Sequence, residues 1–392
     1  MAEKKNKSNK KFMVLSAIGI LMVVDHHTFT AMNLFGDFIP YNSFFMPMFM
    51  FISGYFNKVD SSTKLPVYAW KKVKSLLVPY AFISLLVFFL QFLINWFKMG
   101  EIQKVPEGYL PYLLEKILTD GSSISLCLPM WFVISLFTTL MVYAVMKKLL
   151  SKIWNSYLAF GVFTIFHFAA VYLAHRFPGE LPLWSLQALK CLFFLPFLEL
   201  GILYRERLEK KHTELPGGGK VAILAGMLLL NMVRTMYLPS AYDVAFDSLD
   251  DLTGFTSPFF VTPMISSLVG ILFWLTIVDL IGKPLHESRF VNYMSNNTFW
   301  IMGLHITFYN ILNCVLMFVN DHITTLLYFD DLAFQESEWY QWAISPNFKL
   351  AYMVVGVLGP LGCKWICDRI TGGVSKLMAS KGGQGNEEIR GK

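Results

Sequence analysis

An acid and two histidines stand side by side in LMVVDHHTF, residues 21–29. They end a run of aliphatic residues, so hydropathy places Asp25, His26 and His27 inside a lipid bilayer. Charge at that depth costs at least about 2.5–3.5 kcal/mol per residue and is normally paired, hydrated or functional. Imidazole titrates near neutral pH and suits general acid–base chemistry. We therefore interpret the triplet as a functional site, in which one histidine faces a cavity as a base while its neighbours tie the helix into a bundle.

Other ionisable residues fall at comparable depth in later apolar segments. His167, Lys190 and Arg234 lie in the outer half of the bilayer with the triplet, and His305 is nearer the middle. The group predicts a polar chamber within the membrane. A second interpretation stays open for each member. A lone helix histidine such as His167 is often a packing residue, and Arg234 with Lys190 can serve to neutralise Asp25.

The triplet does not favour a metal site, although aspartate and histidine are acceptable zinc or iron ligands. Neighbours on a helix diverge by about 100°, so three consecutive side chains cannot converge on one ion. We expect no metal cofactor. The methionine-rich MPMFM, residues 46–50, is interpreted as adaptable packing beside Ser53 and Gly54, a small pair that permits close helix contact.

Composition indicates what holds these residues in place. Hydrophobic residues make up 55% of the 392 residues and charged residues only 15%, which leaves too little polar surface for a soluble protein. We predict an all-α, polytopic membrane bundle of about ten transmembrane helices. A basic tail at residues 1–11 precedes a single transmembrane domain at 12–370, and a disordered tail follows at 371–392. The predicted helices lie roughly at residues 12–33, 39–57, 76–97, 126–146, 154–174, 184–204, 221–238, 257–280, 298–319 and 350–368.

The basic residues indicate the orientation of the bundle. If the N-terminus is cytoplasmic, most of the 33 Lys and Arg residues fall in cytoplasmic loops, as the positive-inside rule requires. Both termini are then cytoplasmic. The net charge of +6 is explained by topology and gives no argument for nucleic-acid binding. We expect a multi-pass protein of the plasma membrane whose partner is the lipid bilayer.

Six stretches resemble signatures of the membrane acyltransferase 3 family, in the family's order. KFMVLSAIGILMVVDHH is similar to a first helix whose aliphatic run ends Val-Val-x-x-His, which identifies His27 as the family histidine and His26 as an extra one. MSNNTFWIMGLHITF is similar to a late helix that carries a second histidine, here His305. The other similar stretches are FFMPMFMFISGYF, WKKVKSLLVPY, MWFVISL (with Trp131) and FFLPFLELGILYRER.

One position departs from the family pattern. Ser16 stands eleven residues before His27, where the family usually has arginine or lysine. Lys10, Lys11 or a residue of another helix are the candidates to supply that charge.

The resemblance implies a membrane-bound O-acyltransferase of a bacterial cell envelope. Such enzymes move an acyl group, commonly acetyl, from cytosolic acyl-CoA to a hydroxyl of an extracytoplasmic glycan or other envelope molecule. His27 would be the general base, or would carry the acyl group as a covalent intermediate. The remaining site residues that we infer are Asp25, His26 and His305 for catalysis, and Arg234, Lys190, His167 and Trp131 for substrate binding.

Four cations at the predicted cytoplasmic face are candidates to hold the phosphates of acetyl-CoA or another acyl-CoA. They are Lys71, Lys72, Lys74 and Arg205. The alternative is equally open: each could be a topology anchor that faces lipid headgroups.

A transporter or flippase of a glycan or glycolipid is the alternative function. It would also have about ten helices and charged residues near the midplane, but it predicts two related halves and helices broken by Gly or Pro. Neither feature is clear in this sequence. A non-catalytic scaffold is a third class, which gives no reason to bury Asp25, His26 and His27.

Overall fold

The fold was analysed in a computed structural model, which describes residues 2–28, 33–36, 38–99, 107–119, 121, 124–177, 185–237, 261–282, 284–324, 326, 329–330, 332, 334 and 346–390. Every regular element in these ranges is a helix, so the prediction of an all-α fold is confirmed. The α-helices are α1 Ala2–His26, α2 Phe45–Phe56, α3 Leu65–Lys72, α4 Val78–Met99, α5 Tyr109–Thr119, α6 Trp131–Leu149, α7 Ser156–Arg176, α8 Ser185–Leu203, α9 Glu209–Thr213, α10 Gly217–Tyr237, α11 Thr262–Ile281, α12 Arg289–Asn296, α13 Thr298–His322 and α14 Lys349–Arg390.

Eight helices in the described part of the chain are long and apolar enough to cross a membrane. They are Leu65–Phe97, Leu126–Leu149, Ser156–Ala174, Ser185–Thr213, Gly217–Tyr237, Thr262–Ile281, Thr298–His322 and Lys349–Thr371. The multi-pass architecture follows from them. The total of ten spans, the cytoplasmic termini and the division into two tails and one domain stay predictions.

Two predicted spans are not among these eight helices. The expected helix at residues 39–57 is the twelve-residue α2, about 18 Å long, which is too short for a bilayer core of about 30 Å. The expected helix at residues 12–33 ends at His26. In the turn that follows, the Thr28 hydroxyl donates to the Asp25 carbonyl oxygen (2.7 Å) and competes with the backbone for that acceptor.

Two of the helices continue through π-helical turns. Val73–Leu77 joins α3 to α4, and Tyr204–Leu208 joins α8 to α9. The third span begins at Leu65 instead of residue 76, because α3 continues into α4 through the first π-turn. Pro66 is tolerated in the first turn of α3, where its missing N–H costs nothing. Each π-turn carries basic residues that matter for the site.

The packing of α2 against α8 depends on glycine. A Cβ atom at Gly54 would overlap the carbonyl oxygen of Leu198, and one at Gly201 would overlap the carbonyl oxygen of Phe51. The two backbones are therefore in direct contact, as the small residues of α2 predict. This contact places α2 deep in the bundle, where nine of its twelve residues are buried.

Helix α1 occupies the interior beside α13. It packs against α2, α11, α12, α13 and the beginning of α14, and α13 in turn packs along α14 and α4. The histidines predicted near the end of α1 and in α13 are thus carried by helices in direct contact.

Candidate active site

Two histidines from opposite ends of the chain meet between α1 and α13. His27 is the first residue after α1, and its Nδ1 lies 3.1 Å from Nε2 of His305. The ring centroids are 4.8 Å apart. His305 is fully buried, and the exposed fraction of His27 is 9%. The two predicted histidines therefore form one site, although they lie 278 positions apart in the sequence.

The hydrogen bonds of the pair assign its tautomers. Nδ1 of His305 lies 2.8 Å from the Ile301 carbonyl oxygen and donates its proton there, so Nε2 of neutral His305 carries the lone pair. Nδ1 of His27 lies 2.7 Å from the Val23 carbonyl oxygen and is likewise the protonated nitrogen. Its proton is shared between that oxygen and His305. The basic nitrogen of His27 is then Nε2, and a proton taken up there leaves a cation whose Nδ1–H has two acceptors.

Asp25 is buried and does not contact the imidazole pair directly. Its Oδ2 accepts from the Leu34 backbone N–H (2.6 Å), and its Oδ1 lies 2.7 Å from the ammonium of Lys349 at the start of α14. The cation that neutralises Asp25 is therefore Lys349; the interpretation that gave this role to Arg234 and Lys190 is wrong.

His26 points to a different neighbour from His27, as the 100° step between successive helix residues requires. Its ring centroid lies 5.6 Å from that of Phe45, at the beginning of α2, and 5.5 Å from that of His27. His26 thus joins the end of α1 to α2.

Lys190 and Trp131 are brought together by α8 and the beginning of α6. The buried ammonium of Lys190 lies 4.4 Å from the centroid of the Trp131 indole, a close cation–π contact. The turn before Trp131 is attached to the histidine helix, because Thr307 donates to the Leu126 carbonyl oxygen (3.2 Å). Trp131 therefore directly follows a turn that packs against α13, and Lys190 contacts Trp131 from α8.

His167 and Arg234 have other surroundings. Nδ1 of His167 lies 2.9 Å from the Phe193 carbonyl oxygen, and its ring packs on the Phe193 ring at 4.3 Å. Arg234 donates from Nε to Asn231 Oδ1 (3.1 Å) on its own helix, and Asn231 donates to the Phe38 carbonyl oxygen. The structure does not bring either side chain into contact with the histidine pair. The arrangement of His167 fits the packing interpretation.

A cavity of about 590 Å³ lies at the C-terminal end of α2 and is lined by four lysines. Lys71 and Lys72, both predicted, come from the end of α3, while Lys58 and Lys64 come from the loop before it. The complete lining is Phe56, Asn57, Lys58, Thr63, Lys64, Val67, Tyr68, Lys71, Lys72 and Ser75. The arrangement offers positive charge and hydroxyl groups, the chemistry that binds phosphates.

The loop that carries Lys58 and Lys64 has a fixed turn. Asp60 Oδ1 accepts hydrogen bonds from Ser62 and Thr63, and these bonds hold the pKa of its exposed carboxyl below its usual value. The carboxylate is satisfied within the turn, so Lys58 and Lys64 can face the cavity.

The other two residues predicted to bind acyl-CoA, Arg205 and Lys74, stand beside the cavity instead of lining it. Arg205 donates from Nη1 to the carbonyl oxygens of Tyr55 and Asn57, which end α2, and thereby fixes the wall that Asn57 provides. Lys74 lies 5.2 Å from the Trp70 ring centroid, on the exposed side of the π-turn. The run of lysines between residues 58 and 74 was a sequence signal for the loop cations Lys58 and Lys64, which we did not predict.

Lys11 lies in a second polar cluster, far along α1 from the histidines. Its ammonium is 3.0 Å from Asp279 on α11, which also pairs with Lys220 of α10, and 3.1 Å from the Tyr204 hydroxyl. His212 contacts the same hydroxyl at 2.9 Å. Of the candidates to replace the cation absent at Ser16, Lys11 is therefore buried inside the bundle and paired with a carboxylate.

Helix α2 connects the lysine cavity with the histidine pair. Its last residue, Phe56, lines the cavity, while Phe45 at its beginning contacts His26. The cavity and His26 thus lie at opposite ends of one helix that is about 18 Å long.

Comparison with known families decides the class of the protein. A family model described as an acyltransferase domain matches residues 12–363, nearly the whole chain. The chain belongs to the acyltransferase 3 family. Both site histidines, the lysine cavity and Lys349 lie inside the matched range, so the suspected resemblance is confirmed and the protein is a membrane acyltransferase.

Comparisons with curated proteins and with solved structures returned no match. Within the described ranges, no group of three or more His, Cys, Asp or Glu side chains is placed to hold a metal ion.

Proposed function

We propose that this membrane acyltransferase transfers an acyl group, in the simplest case acetyl, from cytosolic acyl-CoA to a hydroxyl of an extracytoplasmic glycan or other envelope molecule. It would act as a multi-pass protein of the plasma membrane with both termini in the cytoplasm. His27 is the proposed general base.

The observation that carries this proposal is the contact between His27 and His305. With Nδ1 of His27 occupied by the Val23 carbonyl oxygen and by His305, the basic atom is Nε2. An imidazole fixed in one tautomer by a neighbour is the arrangement that a general base requires. His305 touches the reacting imidazole and orients it.

The reaction follows from these roles. Nε2 of His27 takes the proton of the acceptor hydroxyl while the oxygen attacks the thioester carbonyl carbon, giving a tetrahedral intermediate. As the intermediate collapses, the carbon–sulfur bond breaks, and the proton on Nε2 passes to the departing sulfur, so that ester and free CoA are formed. In the second route the same Nε2 attacks the thioester carbon and expels CoA thiolate to give an acyl-histidine, and the acceptor hydroxyl then takes the acyl group and releases the imidazole, its proton passing to the thiolate. Both routes depend on the same nitrogen.

The lysine cavity is the proposed site for the nucleotide end of the donor. Lys71 and Lys72, with Lys58 and Lys64, would bind its phosphates, and the pantetheine arm would run beside α2 toward His27. The separation of about 18 Å along α2 is one that an extended arm can cover. Arg205 supports the cavity wall.

Lys190 and Trp131 are proposed to act on the acceptor side. We propose that the buried ammonium, held over the indole, supplies positive charge to the oxyanion that develops on the tetrahedral intermediate. We do not extend this role to His167 and Arg234, whose contacts with Phe193 and Asn231 fit packing.

The test is donor consumption by the purified protein. Wild-type protein with acetyl-CoA should release free CoA thiol, rapidly with a suitable acceptor and slowly by hydrolysis without one. The exposed His322, also on α13, provides a matched control: His322→Ala should keep the wild-type rate, while His27→Ala should lose it. If the wild type neither binds nor consumes acyl-CoA while vesicles that contain it move a glycolipid, the flippase alternative is correct and this proposal is wrong.

A further inference from the structure

His27 stands at a position that a helix alone does not hold firmly. It is the first residue beyond α1, where the last carbonyl groups of a helix lack partners within the helix. The direction of its ring therefore depends on what fixes residues 23–25. Each of these three residues is held by a contact from beyond α1. The Val23 carbonyl oxygen contacts the His27 ring itself, and Val24 and Asp25 contact other helices.

Helix α13 makes one of these contacts. The Tyr309 hydroxyl donates to the Val24 carbonyl oxygen at 2.6 Å. Tyr309 is four residues after His305 and therefore lies on the same face of α13. One face of α13 thus holds both the imidazole and the backbone that carries it.

Helix α14 makes a second contact through Asp25. The Asp25 side chain is completely buried and its Oδ1 lies 2.7 Å from Lys349 Nζ, whose side chain is 17% exposed. The other carboxylate oxygen accepts from the Leu34 N–H in the chain that follows α1. Because α14 packs along α13, the Asp25–Lys349 pair ties the end of α1 to the same support as His305.

We propose that Lys349 is a positioning residue that holds His27 against His305, acting through Asp25. This inference rests on the proposed function of His27. Lys349 has two effects: it fixes the direction of the Asp25 side chain, and it neutralises a buried carboxylate two residues from the base. Without the ammonium, the unpaired carboxylate has to move toward water or recruit another proton donor, and either change turns the end of α1.

Steady-state kinetics and chemical modification together test the proposal. Lys349→Met should lower kcat for CoA release on the order of 100-fold, the size of effect that a shift of about 1 Å of a reacting group produces, with KM for acetyl-CoA unchanged. Lys349→Arg, which keeps the charge, should retain most of the activity. Lys364→Met is the matched control, because Lys364 pairs with Asp368 in an exposed ion pair on the same helix and should give wild-type kcat.

Asp25→Asn guards against a variant that fails to fold. The amide is isosteric and keeps an oxygen for the Leu34 N–H, so it should fold, and it should reproduce the loss of kcat with unchanged KM. The double variant should be no less active than Lys349→Met, since it contains no unpaired carboxylate.

A second readout is independent of turnover. Diethyl pyrocarbonate should modify His27 severalfold faster in Lys349→Met than in the wild type, because the ring leaves its buried position. The rate of modification is measured by mass spectrometry. A wild-type kcat together with a wild-type modification rate in Lys349→Met overturns the inference. A wild type that releases no CoA contradicts the proposed function instead, and the modification rate still decides whether Lys349 positions His27.

Discussion

His305→Ala tests the division of labour between the two histidines. The substitution removes the Nε2 lone pair that lies 3.1 Å from Nδ1 of His27, while the Val23 carbonyl oxygen remains at 2.7 Å. When His27 of the variant takes up the proton of the substrate hydroxyl, its Nδ1–H becomes a charged hydrogen-bond donor. This donor then has one hydrogen-bond acceptor instead of two. A hydrogen bond to a charged group contributes about 1.5–3 kcal/mol. We therefore expect kcat to fall by about 10- to 100-fold.

The donor KM should hardly change, because the lysine cavity lies at the opposite end of α2. His305→Gln is the matched variant, since the side-chain oxygen of glutamine can reach the position of Nε2 and accept the same proton. It should recover part of the lost rate. The assay is the release of CoA thiol over a range of acetyl-CoA concentrations, with thermal unfolding in detergent as a check on folding. Wild-type kcat in His305→Ala, or equal losses in the alanine and glutamine variants, would refute this account of the pair.

Three further predictions concern the helix contact and the cavity. Gly54→Ala should lower the free energy of unfolding by about 1–3 kcal/mol, because its methyl group meets the backbone of α8. Gly226→Ala should raise the free energy of unfolding by up to about 1 kcal/mol, because the space around its Cβ position is open. Detergent melting curves with the opposite order would contradict the packing. Replacing Lys71 and Lys72 together by Met should raise KM for acetyl-CoA about ten-fold with kcat maintained. Lys152→Met, at an exposed lysine, should have no effect. Equal KM values in the wild type, the double variant and Lys152→Met would exclude the cavity as the site that binds acyl-CoA. The same KM should rise with ionic strength, because salt screens contacts between lysines and phosphates, and a salt-independent KM would count against phosphate binding there.

The histidine site was accessible from the sequence because burying charge is costly. A charged triplet at the end of an apolar run, and a histidine within another, are visible without any structure. Their contact was not visible, since 278 positions separate His27 from His305 and nothing in either helix encodes which helix packs against it. The same limit applies to Lys349, which is an ordinary basic residue in the sequence and the ion-pair partner of Asp25 in the fold.

Helix α2 shows where hydropathy misleads. Residues 39–57 are apolar enough to predict a span, but only Phe45–Phe56 are α-helical, preceded by the short 3-10 turn Tyr41–Ser43. A buried turn needs apolar side chains as much as a helix does, so composition cannot separate them. The small residue Gly54 was the informative feature, because it indicated the close contact that the helix makes with α8.

The lysine cavity was predicted in part for a similar reason. Lys71 and Lys72 follow from their position at the start of a span, but the participation of Lys58 and Lys64 depends on the turn that Asp60 fixes in the loop. Arg205 was expected to hold phosphates directly, yet its guanidinium binds backbone at the end of α2, a contact with no signature in the sequence.

The central claim is that Nε2 of His27 is the base, and His27→Asn tests it most directly. The asparagine amide can still donate to the Val23 carbonyl oxygen in place of Nδ1, so the end of α1 keeps its contact, but no basic nitrogen remains at the position of Nε2. In a single-turnover measurement with saturating acetyl-CoA, the account predicts a loss of at least about 100-fold in the rate of CoA release, with donor binding unchanged. A wild-type rate in this variant would contradict it.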